Sequence, residues 1–122
     1  MAWTPDTARA LSAPQEVQIV TRRPDGTLRR PRIIWIVRAG DRVFVRSTKG
    51  RGADWFRGAV ATGAGQIVAG GVTHDVIFAE AGAPDLPQVG AAYRAKYGHY
   101  ASIVDHLEEP GPRAATLEVL PA

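Results

Sequence analysis

A chain of 122 residues, 45% apolar and 22% charged, is long enough for one ordinary hydrophobic core and lies well away from disordered composition. The lack of cysteine excludes a disulfide framework and thiolate metal sites, and it suits a reducing cytoplasm. Net charge is only +3, yet eleven basic residues face three acidic ones between Arg22 and Arg57, a local excess that points to an anionic partner.

The opening MAWTPDTARAL has no charged leader before an apolar run, and no stretch approaches the roughly 18–20 apolar residues of a membrane helix. A cytoplasmic protein is expected, with one domain over residues 1–122. Thr4, Pro5 and Asp6 read as a helix start: a hydroxyl cap, a first-turn proline and an early carboxylate. That short helix lies within residues 1–14. EVQIVTRR then alternates, PDGT makes a turn at Gly26, and PRIIWIVR is continuously apolar from Ile33 to Val37, as a strand covered on both faces would be. Ala39-Gly40-Asp41 leads into RVFVRST, and the three runs read as an antiparallel meander.

Beyond KGRG a short helix is expected from about Asp54 to Ala61. GQIVA and VTHDVIFAE are joined by Gly70-Gly71, a two-residue hairpin signal that ends a barrel core over 15–80. A helical segment spans 85–109. Asp85 is placed to cap its first helix, with Leu86, Val89, Tyr93 and Tyr97 on one face, and HYASIVDHLEE forms a second helix stopping at Pro110. AATLEVL supplies a last strand at 114–120. Six short antiparallel strands with helices at the periphery predict a mainly β small barrel, since closure removes exposed edges.

Arg46-Ser47-Thr48-Lys49-Gly50-Arg51-Gly52 leaves a strand end carrying two hydroxyls, three cations and glycine-freed amides, the parts of a phosphate cradle but not of a Walker loop. Trp35, at mid-strand, reads as core, whereas Trp55 either fastens that loop or walls a planar ligand. His74 reads as an interior or interface histidine, and His99 and His106 share a helix face without a third ligand, so no metal site is expected. No Ser/His/Asp group or carboxylate pair appears, so no catalytic residue is assigned and any chemistry would come with a cofactor.

The order of parts, TRRPDGT, PRIIWIVR, GDRVFVRSTKG, a loop, then a tryptophan opening a helix, resembles the split β-barrel flavin-binding superfamily, especially its deazaflavin-dependent nitroreductase branch. From Trp3 to Tyr97, including YRAKYG, the chain is similar to a family of small uncharacterised bacterial proteins assigned to that superfamily. The resemblance implies an FMN-binding-like split barrel that holds FMN or a deazaflavin coenzyme in a groove of a homodimer. It implies phosphate contacts from Arg46, Ser47 and Lys49, to which the cradle reading adds Thr48 and Gly50, a hairpin contribution from Arg23 or Arg30, and Trp55 as the aromatic that opens the helix. The nitroreductase branch continues from its tryptophan into an asparagine-leucine step; here the chain reads WFRGAVATG, with Gly58 near the expected asparagine. Three functions are open at this point: a flavin- or deazaflavin-dependent oxidoreductase, a non-catalytic barrel holding another anionic small molecule, and nucleic-acid binding by the arginine ribbon. The absence of aromatics interleaved with the arginines weighs against the last.

Overall fold

The computed structural model describes residues 2–122. Helix α1 (Pro5–Ser12) begins where expected: the Thr4 hydroxyl accepts from the Thr7 amide at 3.2 Å. Strands β1 (Val17–Thr21), β2 (Arg32–Ile34), β3 (Ile36–Ala39) and β4 (Arg42–Arg46) follow, then a 3-10 turn at Gly50–Gly52 and helix α2 (Asp54–Thr62). The remainder comprises β5 (Ala64–Ala69), β6 (Val72–Glu80), α3 (Leu86–Tyr97), α4 (Ala101–Leu107), α5 (Pro110–Arg113) and β7 (Thr116–Pro121).

The seven strands form one antiparallel sheet in the order β2-β1-β5-β6-β7-β4-β3. Its two outermost strands are halves of the single run 32–39, broken at Trp35. The first half pairs with β1 (Val17 opposite Ile34) and the second with β4 (Ile36 opposite Val45). Crossing from one sheet edge to the other at Trp35 therefore closes the sheet into a split barrel. This corrects the expected six strands to seven. It also corrects the uninterrupted strand covered on both faces, since Ile33 is 65% exposed. The meander holds only in halves, because the other side of β1 is taken by β5.

Alternation along the strands produces two cores. Val17, Ile19, Ile36, Val43, Val45, Ile67 and Val119 fill the barrel, against which α1 presents Ala8 and Leu11 and α2 presents Phe56 and Ala59. On the outer face of β3 and β4, Val37 and Phe44 meet Val89, Tyr93 and Tyr97 of α3 and Val104 and Leu107 of α4. The predicted β5–β6 hairpin is present, with Gly70 at φ 57° and Gly71 at φ 80°, the two left-handed residues such a turn needs. Two expectations about the helices change. Asp85 precedes α3 but does not cap it, because Arg42 takes its carboxylate at 2.8 and 2.9 Å. Pro110 does not end the helical region; it opens α5, where a first-turn proline is compatible with the missing amide.

The C-terminus of α3 secures the break. The Lys96 ammonium donates to the carbonyls of Ser12 (2.6 Å), Pro14 (2.8 Å) and Ile36 (2.7 Å). The Tyr97 hydroxyl donates to Gln15 O at 2.6 Å and accepts from the Ile36 amide at 3.2 Å. The Trp35 ring lies flat on Tyr97, centroids 4.0 Å apart and planes 1° from parallel. Burial pushes the Lys96 ammonium down to about 8, and the three carbonyls keep this charge hydrogen-bonded. Lys96→Met fills similar volume but leaves those carbonyls without their donor. Chemical denaturation should show a loss of about 1–3 kcal/mol, and an unchanged midpoint would contradict this role.

Candidate functional site

Two buried polar residues stand at the end of β4, Arg46 as its last residue and Ser47 just beyond it, 3% and 1% exposed. Arg46 Nε donates to Thr116 Oγ1 at 2.8 Å, and Nη1 donates to Leu107 O at 3.1 Å and Glu108 Oε1 at 3.2 Å. Its guanidinium carbon stands 5.6 Å from the centre of the Tyr93 ring. Glu108 reaches Arg46 only because residue 90 of α3 is glycine: a Cβ there would lie 2.3 Å from Glu108 Oε1. Glycine inside a helix is about 0.5–1 kcal/mol worse than alanine, so the space it leaves for the carboxylate is a physical reason for its presence.

Next to this anchor opens a cleft of about 690 Å³, within the usual range for small-molecule sites. Arg46, Ser47, Thr48 and Lys49 from the end of β4 line it, with Trp35 and Ile33 from the split run, Trp55 at the start of α2, and Tyr93 from α3. Four buried side-chain polar atoms among the described residues have no hydrogen-bond partner. Three belong to this wall: Arg46 Nη2, Ser47 Oγ and the Tyr93 hydroxyl. Buried polar groups are seldom left unpaired, and such clusters point to an absent partner. Burial pushes the Tyr93 hydroxyl well above the usual phenol range, so it stays an O–H donor; burial also lowers the Arg46 guanidinium, which remains cationic. The wall is therefore rich in fixed donors beside two tryptophans.

The residues singled out in the sequence divide between two clefts. Arg46, Ser47, Thr48, Lys49 and Trp55 meet in the large one. Arg23 and Arg30 lie in a second cleft of about 300 Å³, lined also by Thr21, Arg29, Arg32, Asp54 and Trp55. Arg32, Asp54 and Trp55 are common to both. Gly50 is buried outside the large cleft, its φ of 71° turning the chain beside the backbone of Gly111. The amides expected to be free are partly engaged, Ser47 N with Ala115 O (3.0 Å) and Gly50 N with Ser47 O (3.1 Å). Arg51, counted with the cradle, turns away to Glu80, with N–O distances of 2.5 and 3.2 Å.

Reading Trp35 as simple core missed that it is half-buried at the break and lines the cleft. Tyr93 was legible as a core position of α3, but a tyrosine where phenylalanine would pack equally well was the signal of a polar task. The histidines do not cluster: His99 sits in the turn before α4, while His106 near its end bridges Thr48 O (2.6 Å) and Glu109 (2.8 Å). His74 is half-buried with its ring edge-on to Trp3. Among the described residues no three His, Cys, Asp or Glu side chains gather as a metal site would need.

This arrangement, a barrel closed by a split strand with donors at the end of β4, defines the class of protein. The chain belongs to the family described as uncharacterised proteins conserved in bacteria, DUF2255, whose model matches residues 7–119. No curated protein matches it in sequence. Among solved structures it is similar to a conserved hypothetical protein of Mycobacterium tuberculosis, with TM-score 0.65, 10% identity, and coverage of 98% of this chain and 79% of that one. It is similar to an F420-H2-dependent reductase, with TM-score 0.66, 15% identity, and coverage of 86% and 93%. A FAD-binding protein of Mesorhizobium loti aligns with TM-score 0.55, 14% identity, and coverage of 98% and 88%. At such identities the likeness establishes the shared split-barrel fold.

Two measurements probe this geometry. Gly90→Ala gains helix propensity but drives Glu108 off a buried arginine; thermal or chemical unfolding should show a net loss of about 1–3 kcal/mol, whereas a gain would refute the space argument. His106 is the second. The Thr48 carbonyl first, then Glu109, raise its ring above the ordinary 6.5. A folded value above the unfolded one means the stabilisation is complete below the unfolded value and fades as pH rises through the folded one. Glu109→Gln should move the His106 midpoint in an NMR titration downward, and no movement would remove Glu109 as a cause.

Proposed function

We propose that the large cleft binds a flavin-type cofactor, FMN or a deazaflavin, and that the protein is an oxidoreductase. The observation that carries this reading is the trio of buried, unpartnered donors, Arg46 Nη2, Ser47 Oγ and Tyr93 O–H, beside Trp35 and Trp55. A ligand that suits such a wall has a planar, largely apolar body and oxygen acceptors or an anionic group. Flavin-type cofactors carry all of these, and bound here one would supply hydride transfer. That an F420-H2-dependent reductase and a FAD-binding protein share the fold supports the same class.

On this reading Arg46, Ser47 and Tyr93 fix the polar edge, and their cationic and O–H donors favour negative charge developing nearby. Thr48 and Lys49, exposed at the rim, offer a hydroxyl and an ammonium to a phosphate. Trp55 and Trp35 limit where a ring can lie. Gly50 acts through the turn it permits. Ile33 and Ile103, exposed by 65% and 40% and lining the same cleft, favour cover by a second copy, in keeping with the homodimer that the sequence resemblance implies.

Calorimetric titration with FMN and with a deazaflavin, on protein from a host that makes both, tests the proposal. Binding of one at micromolar levels is the expected result, and binding of neither overturns it. Lys49→Ala should weaken that binding about tenfold while moving Tm by less than about 2 °C, because an exposed loop cation adds little to the core.

A further inference from the structure

Three consecutive residues at the end of α4 fasten it to the strand end that lines the large cleft. The Leu107 carbonyl and the Glu108 carboxylate accept from Arg46 Nη1, and His106 Nε2 meets the Thr48 carbonyl at 2.6 Å. Arg46 and Ser47 are buried, whereas Thr48 and Lys49 are exposed at the cleft's rim. Among the described residues no other side-chain hydrogen bond reaches Thr48 or Lys49. The rim thus depends on one imidazole.

The chemistry of that contact sets the protonation of the ring. Its other nitrogen, Nδ1, stands 2.8 Å from Glu109 Oε2. A carbonyl and a carboxylate only accept, so the ring satisfies both as an imidazolium that donates from each nitrogen. A neutral ring has one N–H and keeps one partner. The carboxylate is the stronger acceptor, so the proton stays on Nδ1 and a lone pair faces Thr48 O. Loss of one proton therefore turns an attraction at the rim into a repulsion. The other charges nearby leave Glu109 to His106: Asp105 pairs with Arg94 of α3, and Glu108 with Arg46 of β4. Lys49 in the loop and Arg113 of α5 oppose a cation by their sign. The Thr48 carbonyl and Glu109 outweigh them and hold the ring above its ordinary 6.5.

We propose that His106 is a positioning residue of the large cleft: its doubly protonated ring pins the Thr48 carbonyl, so the set of the Thr48–Lys49 rim, and the affinity of an anionic group docked there, depends on one proton. The affinity half rests on the cofactor reading of that cleft; the clamp on Thr48 does not. The contact is complete below the ring's unfolded value and is lost as pH rises through the raised folded one. Thr48 and Lys49 then lose their fixed orientation, and binding weakens as pH rises. A cofactor phosphate pulls the other way, since its second ionisation at about 6 adds charge for the cations to hold. Comparison with a variant that does not titrate separates the two.

Two measurements on the full chain test this. In the ligand-free protein, heteronuclear NMR from about pH 5.5 to 9 follows the His106 ring and the Lys49 amide, whose nitrogen is bonded to the Thr48 carbonyl carbon. The Lys49 signal should titrate with the His106 midpoint, and both should move down together in E109Q. Calorimetric titration with FMN and with a deazaflavin at both ends of that range reads the consequence. Across it, wild-type affinity should fall at least threefold relative to H106Q, whose amide still donates to Thr48 without titrating. H106A should bind at least threefold more weakly than wild type at the acid end and match it at the alkaline end, with an intact fold by circular dichroism. The proposal is overturned if the Lys49 signal ignores His106, if wild type and H106Q share one pH dependence, or if folded H106A binds like wild type at the acid end. Binding of neither cofactor while Lys49 follows His106 would fell the cofactor reading and uphold the clamp. Cofactor binding with Lys49 indifferent to His106 would do the reverse.

Discussion

The peptide between Trp35 and Ile36 is where the sheet is closed, and the rest of the molecule is arranged around that junction. A strand run that begins on β1 and finishes on β4 has to leave one edge and join the other, and the backbone at the crossing loses regular ladder partners. Buried amides and carbonyls without partners are expensive. The chain meets this with a helix rather than with more sheet. Lys96 and Tyr97, adjacent in sequence at the end of α3, deliver an ammonium and a phenol to Ile36, and the same two groups gather the carbonyls of Ser12, Pro14 and Gln15. One crossing thereby fixes α3 against β3 and ties down the segment between α1 and β1.

The site follows from that placement. With α3 held over the outer face of β3 and β4, Tyr93 lies one turn before Tyr97 and comes to the end of β4, where Arg46 emerges. A buried guanidinium there needs acceptors, and it finds them in Thr116, in the last carbonyl of α4 and in Glu108. Glu108 passes through the space of the missing Cβ at Gly90. Three elements distant in sequence thus hold one arginine in one orientation. The position leaves Nη2 without a partner beside Ser47 Oγ and the Tyr93 hydroxyl. The unpaired donors are best understood as the cost of a preorganised surface, since a fixed donor needs no rearrangement when an acceptor arrives.

Local chemistry made much of this legible. The Thr4 cap, the Gly70-Gly71 turn, the α2 and α3 spans and the donors at the end of β4 all rest on rules that operate within a few residues. What escaped was set by closure. Nothing in the apolar run Ile33 to Val37 says that it breaks, because an unbroken and a split strand have the same composition. The fate of Asp85 was hidden for the same reason: a cap is a local option, and Arg42, far away in sequence but nearby in the fold, outcompetes it with a bidentate pair. The arginines of the β1–β2 hairpin and those of the β4 loop looked like one patch in sequence, yet the barrel places Trp55 and Asp54 between two separate hollows.

That separation gives meaning to the departure at Gly58. In the sequence it was simply a glycine where the related branch has asparagine, in a helix interior where glycine is unfavourable. In the fold the missing side chain lets Thr21 and Arg29 lie against α2, so the residue and the arginine are two halves of one accommodation. Arg23, Arg29, Arg30 and Arg32 gather beside that helix with Asp54 among them, and Gly58 leaves the space in which Arg29 lies.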